Sequence, residues 1–209
     1  MGKLVLQKCI VGSVFTNCYF LKNKETGEML IIDPGDNAEK IEQKILEMQG
    51  KPVAILLTHG HFDHATGAGE LAQLLHIKIY AQEKEKETLE NPQLNLSGWQ
   101  GSELVFYADE YLKDEQEIDL AGFHIRVFLT PGHTVGGCCY YFPYQNMLFS
   151  GDSLFQTSIG RTDFPKGSAS QLIHAIREKL MPLPDETAVY TGHGDMTTIG
   201  TERMYNPYL

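Results

Sequence analysis

The stretch THGHFDHATG at 58–67 places His59, His61, Asp63 and His64 on one short piece of chain. Imidazoles protonated together would repel. A shared metal ion resolves the crowding, because neutral imidazole nitrogen and carboxylate oxygen both ligate divalent cations. Immediately before it, VAILL at 53–57 is a continuous apolar run bounded by turn signals, as expected of a strand buried on both faces between layers. Immediately after, Leu71, Leu74 and Leu75 recur at helical spacing and predict a helix starting near His64. Metal-ligand residue types thus sit where a buried strand ends and a helix begins, a common place for sites in layered α/β folds.

Upstream, 4–11 (LVLQKCIV), 15–21 (FTNCYFL) and 28–32 (EMLII) are short apolar or alternating runs that predict a meander of strands. Asp33-Pro34-Gly35 ends the last of them. Asp36 with Glu39 then has capping-box spacing before a helix that carries Ile41, Ile45 and Met48 on one face and stops at Gly50 and Pro52. Downstream, IKIY at 77–80 is the next strand, and 90–102, rich in turn formers, reads as a long loop that the only tryptophan, Trp99, pins to the body. EIDL, FHIRVFL, GCCYYF and MLFS predict a second meander. Ser168 and Gln171 repeat the capping-box spacing before a helix with Leu172, Ile173, Ile176 and Leu180 on one side; TAVY and a segment through Met204 follow. Two halves of strands followed by helix, with no linker between them, predict an α/β fold of two packed sheets with helices outside, organised as one domain over residues 1–209.

Three further segments repeat the design of the first. FLTPGHTVGG with His133, MLFSGDSLF with Asp152 and AVYTGHGD with His193 are each an apolar strand, a glycine turn and a polar residue at its tip. Such placement aims several side chains from one sheet edge at one point. A single histidine at a strand end is usually a hydrogen-bonded surface or core residue, but three such turns joined to H-x-H-x-D-H make a ligand inventory that fits two divalent ions. His76, His124 and His174 lie outside these turns and read as structural or exposed.

Composition narrows the classes of partner. The formal charge is −10 with a pI near 5.2, which argues against nucleic-acid and anionic-membrane binding. Cys9, Cys18, Cys138 and Cys139 form neither a disulfide framework nor a C-x-x-C knuckle, so they read as free thiols and the metal case rests on His and Asp. The start, MGKLVLQKCIVGSVF, has no sustained apolar region, and no run of about 20 apolar residues occurs, so a cytoplasmic protein is expected.

HGHFDH, PGHT, SGDS and TGHG, in this order along the whole chain, resemble the metallo-β-lactamase superfamily. The resemblance implies a four-layer αββα sandwich with metals at one edge of the two sheets. It also implies His59, His61 and His133 on one metal, Asp63, His64 and His193 on the other, and Asp152 bridging them. Zinc is the first expectation, with iron or a mixed zinc–iron pair as the others. Between two such cations a water ionises near neutral pH and becomes a nucleophile. Asp63 would orient it as well as bind metal, which makes Asp63 the candidate catalytic residue.

Within the superfamily, several branches are set aside on particular residues. A cysteine is common at the bridging position in one major class of lactamases, and Asp152 makes lactam hydrolysis less attractive. A glutamate replaces the second histidine in flavodiiron proteins, and His61 speaks against that branch. SIGRTDFPKGS at 158–168 and the tail TERMYNPYL resemble short glyoxalase II-like hydrolases and also persulfide dioxygenases, which share the GRTDF stretch. The first likeness implies cleavage of a small, anionic acyl-thiol or ester; the second implies a single iron on His59, His133 and Asp152. Where glyoxalase II carries a Lys and a Tyr against glutathione, this chain has Arg161 and Asp163, and the C-terminal helical domain that completes that pocket does not follow within the 209 residues. Arg161 has two readings of equal weight, a substrate-binding residue that grips a carboxylate and an ion pair with an acid of its own loop.

Overall fold

The structure, a computed structural model, describes residues 4–209. The first three residues of the N-terminal stretch read above for a leader lie outside the described residues. The early apolar runs form β1 (Leu4–Val11), β2 (Thr16–Asn23) and β3 (Glu28–Ile32), an antiparallel meander. The chain then crosses as α1 (Ala38–Met48), whose stripe Ile41, Ile45 and Met48 is buried as its spacing predicts. The expected capping box of Asp36 and Glu39 does not form. Asn37 is the N-cap in a left-handed conformation, and Asp36 Oδ1 accepts from the Asn37 N–H at 2.7 Å; Asn tolerates that conformation and the local turn takes the carboxylate.

β4 (Lys51–Leu56) leads into the quoted stretch. The single helix expected from His64 is two pieces, α2 (Phe62–Ala65) and α3 (Ala68–Leu75). Gly67 sits between them because the chain there presses on the turn after β3: its N–H donates to Pro34 O at 2.9 Å, and a Cβ would lie 2.6 Å from that oxygen. Leu71 is buried, whereas Leu74 is 52% exposed. β5 (Lys78–Gln82), α4 (Lys86–Glu90) and β6 (Glu110–Leu112) complete this half. Its long loop is tied down by buried Asn95, not by Trp99. Asn95 O accepts from Phe62 N at 2.8 Å and its Nδ2 donates to Leu89 O and Leu104 O at 3.2 and 2.9 Å. Trp99 is 59% exposed, on a 3₁₀ turn at Ser97–Gln100.

The second half runs β7 (Glu117–Leu120), β8 (Phe123–Leu129), β9 (Cys138–Phe142) and β10 (Met147–Gly151), then a two-stranded ribbon, β11 (Leu154–Phe155) and β12 (Ser158–Ile159). Next come α5 (Ala169–Ala175), β13 (Ala188–Thr191), β14 (Thr197–Thr198) and α6 (Ile199–Tyr205). Here half of the expected capping box forms: Ser168 Oγ accepts from Gln171 N at 3.4 Å, but the Ser168 N–H donates to Gly132 O at 2.8 Å instead of to the Gln171 side chain; α5 continues as a π turn through Leu180.

The two six-stranded sheets run β1-β2-β3-β4-β5-β6 and β14-β13-β10-β9-β8-β7. Strand alternation divides their side chains among three apolar layers. Leu30, Ile32 and Leu56 meet Phe123, Tyr140 and Phe149 between the sheets. Ile31 and Ile55 turn outward onto Ile41 and Leu71, and on the other side Cys139 and Leu148 meet Leu172 and Ile176. This is the expected αββα sandwich. Cys9, Cys18, Cys138 and Cys139 are free, and among the described residues no helix is long and apolar enough to cross a membrane.

Candidate metal centre

The polar tips converge at one edge of the sandwich. His59 and His61 leave the end of β4, Asp63 and His64 ride on α2, and His133, Asp152 and His193 follow β8, β10 and β13. Two glycines permit the approach. Gly151 has φ of 48° with Thr58 pressed against it, and a Cβ on Gly192 would lie 2.1 Å from Asp152 Oδ1. The two sheets are stitched beside the cluster by Asn17 N donating to Gly192 O at 2.8 Å.

All seven residues named from the sequence are brought together. His61 Nδ1 lies 3.1 Å from His59 Nε2 and 3.0 Å from His133 Nε2. Donors on a tetrahedral ion with bonds of 2.0–2.1 Å stand about 3.3 Å apart, so this convergence of ring nitrogens has the spacing of a ligand set. On the other side, His193 Nε2 is 3.2 Å from both His64 Nε2 and Asp63 Oδ2. Asp152 lies between the groups: Oδ2 is 3.5 Å from both His133 Nε2 and His193 Nε2, and Oδ1 is 3.4 Å from His64 Nε2. That Oδ1 is buried without a hydrogen-bond partner. Its nearest donor, His64 Nε2 at 3.4 Å, stands too far for a good hydrogen bond, and a cation held there would satisfy the oxygen. The donor set therefore fits metal: His59, His61 and His133 form one possible site, Asp63, His64 and His193 another, and Asp152 groups with His59 and His64.

Residues behind the cluster fix which nitrogen faces it. Asp33, buried at the end of β3, accepts from Thr58 N at 2.8 Å and Thr58 Oγ1 at 2.7 Å and takes His64 Nδ1–H at 3.0 Å. Thr58 Oγ1, its own proton given to Asp33, receives His59 Nδ1–H at 3.2 Å. His133 Nδ1–H donates to the Arg161 carbonyl at 2.7 Å. In the neutral ring that a cation requires, each bond leaves Nε2 as a lone pair aimed at the centre. Glu85, fully buried, accepts from Gly60 N, Gly136 N and Thr134 Oγ1 at 2.8, 2.7 and 3.0 Å, and so joins the loop of His59 and His61 to that of His133. Sequence reasoning missed these roles. Asp33 read only as a strand terminator, and Glu85 lies in EKEKE, which has the look of a solvated charge run.

The electrostatics differ across the cluster. Burial, with the neighbouring imidazoles, holds His59 and His61 well below the usual histidine range. Burial also pulls on His64 and His193, but the carboxylates Asp63 and Asp152 overcome it and raise them to about 9 and about 11. Burial raises Asp63, and the charge of His64 and the hydrogen bond from His193 outweigh it, leaving the carboxyl at about 2. Protons thus balance the carboxylates on one side only, where cations would replace them.

Residues 11–193, which contain the whole cluster, match the metallo-beta-lactamase superfamily. The chain belongs to that superfamily. It is 40% identical over 197 residues to the hydroxyacylglutathione hydrolase GloC of Haemophilus influenzae, with 92% of each chain covered. The crystal structure of BLEG-1 B3 metallo-beta-lactamase is similar with a TM-score of 0.93 at 40% identity, over 98% of this chain and 99% of that one. TTHA1623 in a di-iron-bound form is similar with a TM-score of 0.85 at 33% identity, over 97% and 100%.

This superfamily member opens its cluster to a cavity of about 560 Å³. Asp63, Asp152 and His193 reach it, and Val14, Leu96, Trp99, Phe155 and Phe164 form its walls. Arg161 stands on the rim in the ion pair with Asp163, Nε to Oδ1 at 3.0 Å and a terminal nitrogen to Oδ2 at 2.8 Å. The side chain of Arg161 faces that acid while its carbonyl orients His133, a backbone role that residue type could not reveal.

Proposed function

We propose that the protein is a metal-dependent hydrolase of a small ester or thioester. In this reading His59, His61 and His133 hold one divalent cation, Asp63, His64 and His193 hold a second, and Asp152 is shared. The observation that carries it is the buried Asp152 Oδ1, without a hydrogen-bond partner and set among imidazole nitrogens from both groups. Cations held there supply the acidity that ionises water near neutral pH and the charge that polarises a carbonyl.

The chain's own residues do the rest. Asp63 Oδ2 accepts from Thr16 Oγ1 at 3.0 Å, which fixes the carboxylate beside the cavity, where it can orient an attacking water. Asp33, Thr58 and the Arg161 carbonyl hold the imidazoles of His64, His59 and His133 in line. The likeness to GloC supports an acyl-thiol substrate. Zinc remains our first choice of metal; the di-iron form of TTHA1623 favours keeping iron as the second. Free thiols fit a reducing compartment, and we place the enzyme in the cytoplasm.

The test is elemental analysis of freshly purified protein, followed by assays on S-lactoylglutathione, simple thioesters and a chromogenic β-lactam. Two metals with thioester turnover that Asp152→Ala abolishes is the expected outcome. Turnover of the β-lactam alone would transfer the assignment to the lactamase reading, which the likeness to BLEG-1 favours. A single iron with oxygen uptake on glutathione persulfide would instead establish the dioxygenase reading.

A further inference from the structure

Resting on the hydrolase reading, we propose that the substrate carries an apolar alkyl or aryl group, seated between Trp99, Phe164 and Val14, and that no cationic side chain anchors an anionic thiol carrier. Among the described residues lining the cavity, Arg161 is the one cationic side chain besides the cluster histidines. Its guanidinium is taken twice over, by the two-toothed pair with Asp163 and by the face of Phe164, whose ring centre lies 4.3 Å away. Lys166, next along the loop, is paired with Glu87 at 2.6 Å. A glutathione-like carrier, with its two carboxylates, therefore meets no unpaired side-chain cation here unless the Arg161–Asp163 pair is broken.

The walls offer the opposite chemistry. Phe164 stands edge-on to His61 and His133 at 5.4 and 5.7 Å and to Trp99 at 6.1 Å, so an aromatic shelf runs from the ligand residues outward. Phe155 lies 6.3 Å from His193 on the other side. Trp99 and Val14 keep 59% and 41% of their surface exposed, and nothing within the described chain covers them. Apolar surface held open at the mouth of a reactive site gains by closing on an apolar ligand. A cavity of about 560 Å³ is of the size that takes a small molecule.

Trp99 is the only tryptophan, so its fluorescence reads this wall without reference to turnover. The metal-loaded protein is titrated with non-cleavable thioethers, S-methyl, S-butyl and S-hexyl derivatives of N-acetylcysteamine against the same series on glutathione. In parallel kcat/KM is measured for acetyl, butyryl and hexanoyl thioesters of N-acetylcysteamine and for S-lactoylglutathione. The expected result is a Trp99 spectral shift whose Kd falls about two- to fourfold per methylene on the neutral carrier, with no gain from glutathione. The same slope should appear in kcat/KM and flatten in Trp99→Ala. Asp163→Asn, by freeing Arg161, should improve the glutathione series selectively. A flat chain-length response, or tighter binding of the glutathione series that Arg161→Ala removes, overturns the inference. Absence of cleavage throughout sinks the hydrolase reading, while the fluorescence titration still decides the apolar site.

Discussion

Asp33 and Glu85 show that what orients this cluster is carried by two buried carboxylates that hold no place in its inner ring. In Asp33→Asn the amide can still accept from Thr58 N, but its NH₂ would confront the donor His64 Nδ1–H. His64 relieves that conflict by moving its proton to Nε2, which points into the cluster and blocks a lone pair. Cation affinity at the group of Asp63, His64 and His193 should fall about 10- to 100-fold while the fold persists. Chelator competition with zinc would measure it, and two sites filling as in the parent would refute the role. Glu85→Gln likewise sets an amide donor among two backbone N–H groups and a hydroxyl, and should cost about 1–3 kcal/mol, read from the denaturant midpoint. The residues of the cluster were legible in the sequence because each follows an apolar strand and a turn. Those behind it were not, because their roles depend on which strands lie side by side, and Asp33 meets Thr58 only through the parallel pairing of β3 with β4.

At the scale of elements, the sequence was read best where the local rule and the packing agree. AILL at 54–57 is buried because β4 runs between β3 and β5 in the middle of a sheet, and Ser168 caps α5 even though its hydroxyl is shared with Ser170 Oγ, 3.2 Å away. It was read least well where a distant segment intrudes. The break between α2 and α3 comes from Pro34, more than thirty residues back, and no helical periodicity around His64 could report it. A pair of substitutions separates the two influences. Gly67→Ala drives a Cβ to 2.6 Å from Pro34 O and should destabilise by about 1–3 kcal/mol. Gly69→Ala, two residues on, is exposed at the start of α3 with nothing within 4 Å, and should stabilise by up to about 1 kcal/mol through helix propensity. Equal effects in urea melts of the two variants would contradict the assignment of the break to the Pro34 contact.

At the scale of the molecule, an acidic chain of formal charge −10 gathers its histidines where carboxylates already lie, and that coupling sets how metal and pH act on stability. In the metal-free protein His64 and His193 are held at about 9 and about 11, above the ordinary 6.5, because the attraction of Asp63 and Asp152 exceeds the cost of burial. Raised imidazoles stabilise the fold fully below about pH 6.5, and the contribution is lost as pH climbs through their folded values. Asp63, held at about 2 against an ordinary 3.8, contributes above the latter and loses its share as pH falls towards 2. Cations need those imidazoles neutral, so loading must expel protons and strengthens as pH rises. The two dependences oppose each other: between about pH 7 and 9, above the range where the depressed His59 and His61 disfavour the fold, the metal-free protein should lose stability while the metal-loaded protein binds its cations more tightly. The gap in melting temperature between zinc-loaded and chelator-treated samples should therefore widen across that interval. Calorimetric titration of zinc at pH 7, repeated in buffers of different ionisation enthalpy, should register net proton release. A gap that stays constant or narrows, with no buffer dependence of the heat, would show that protons do not occupy the places assigned here to cations.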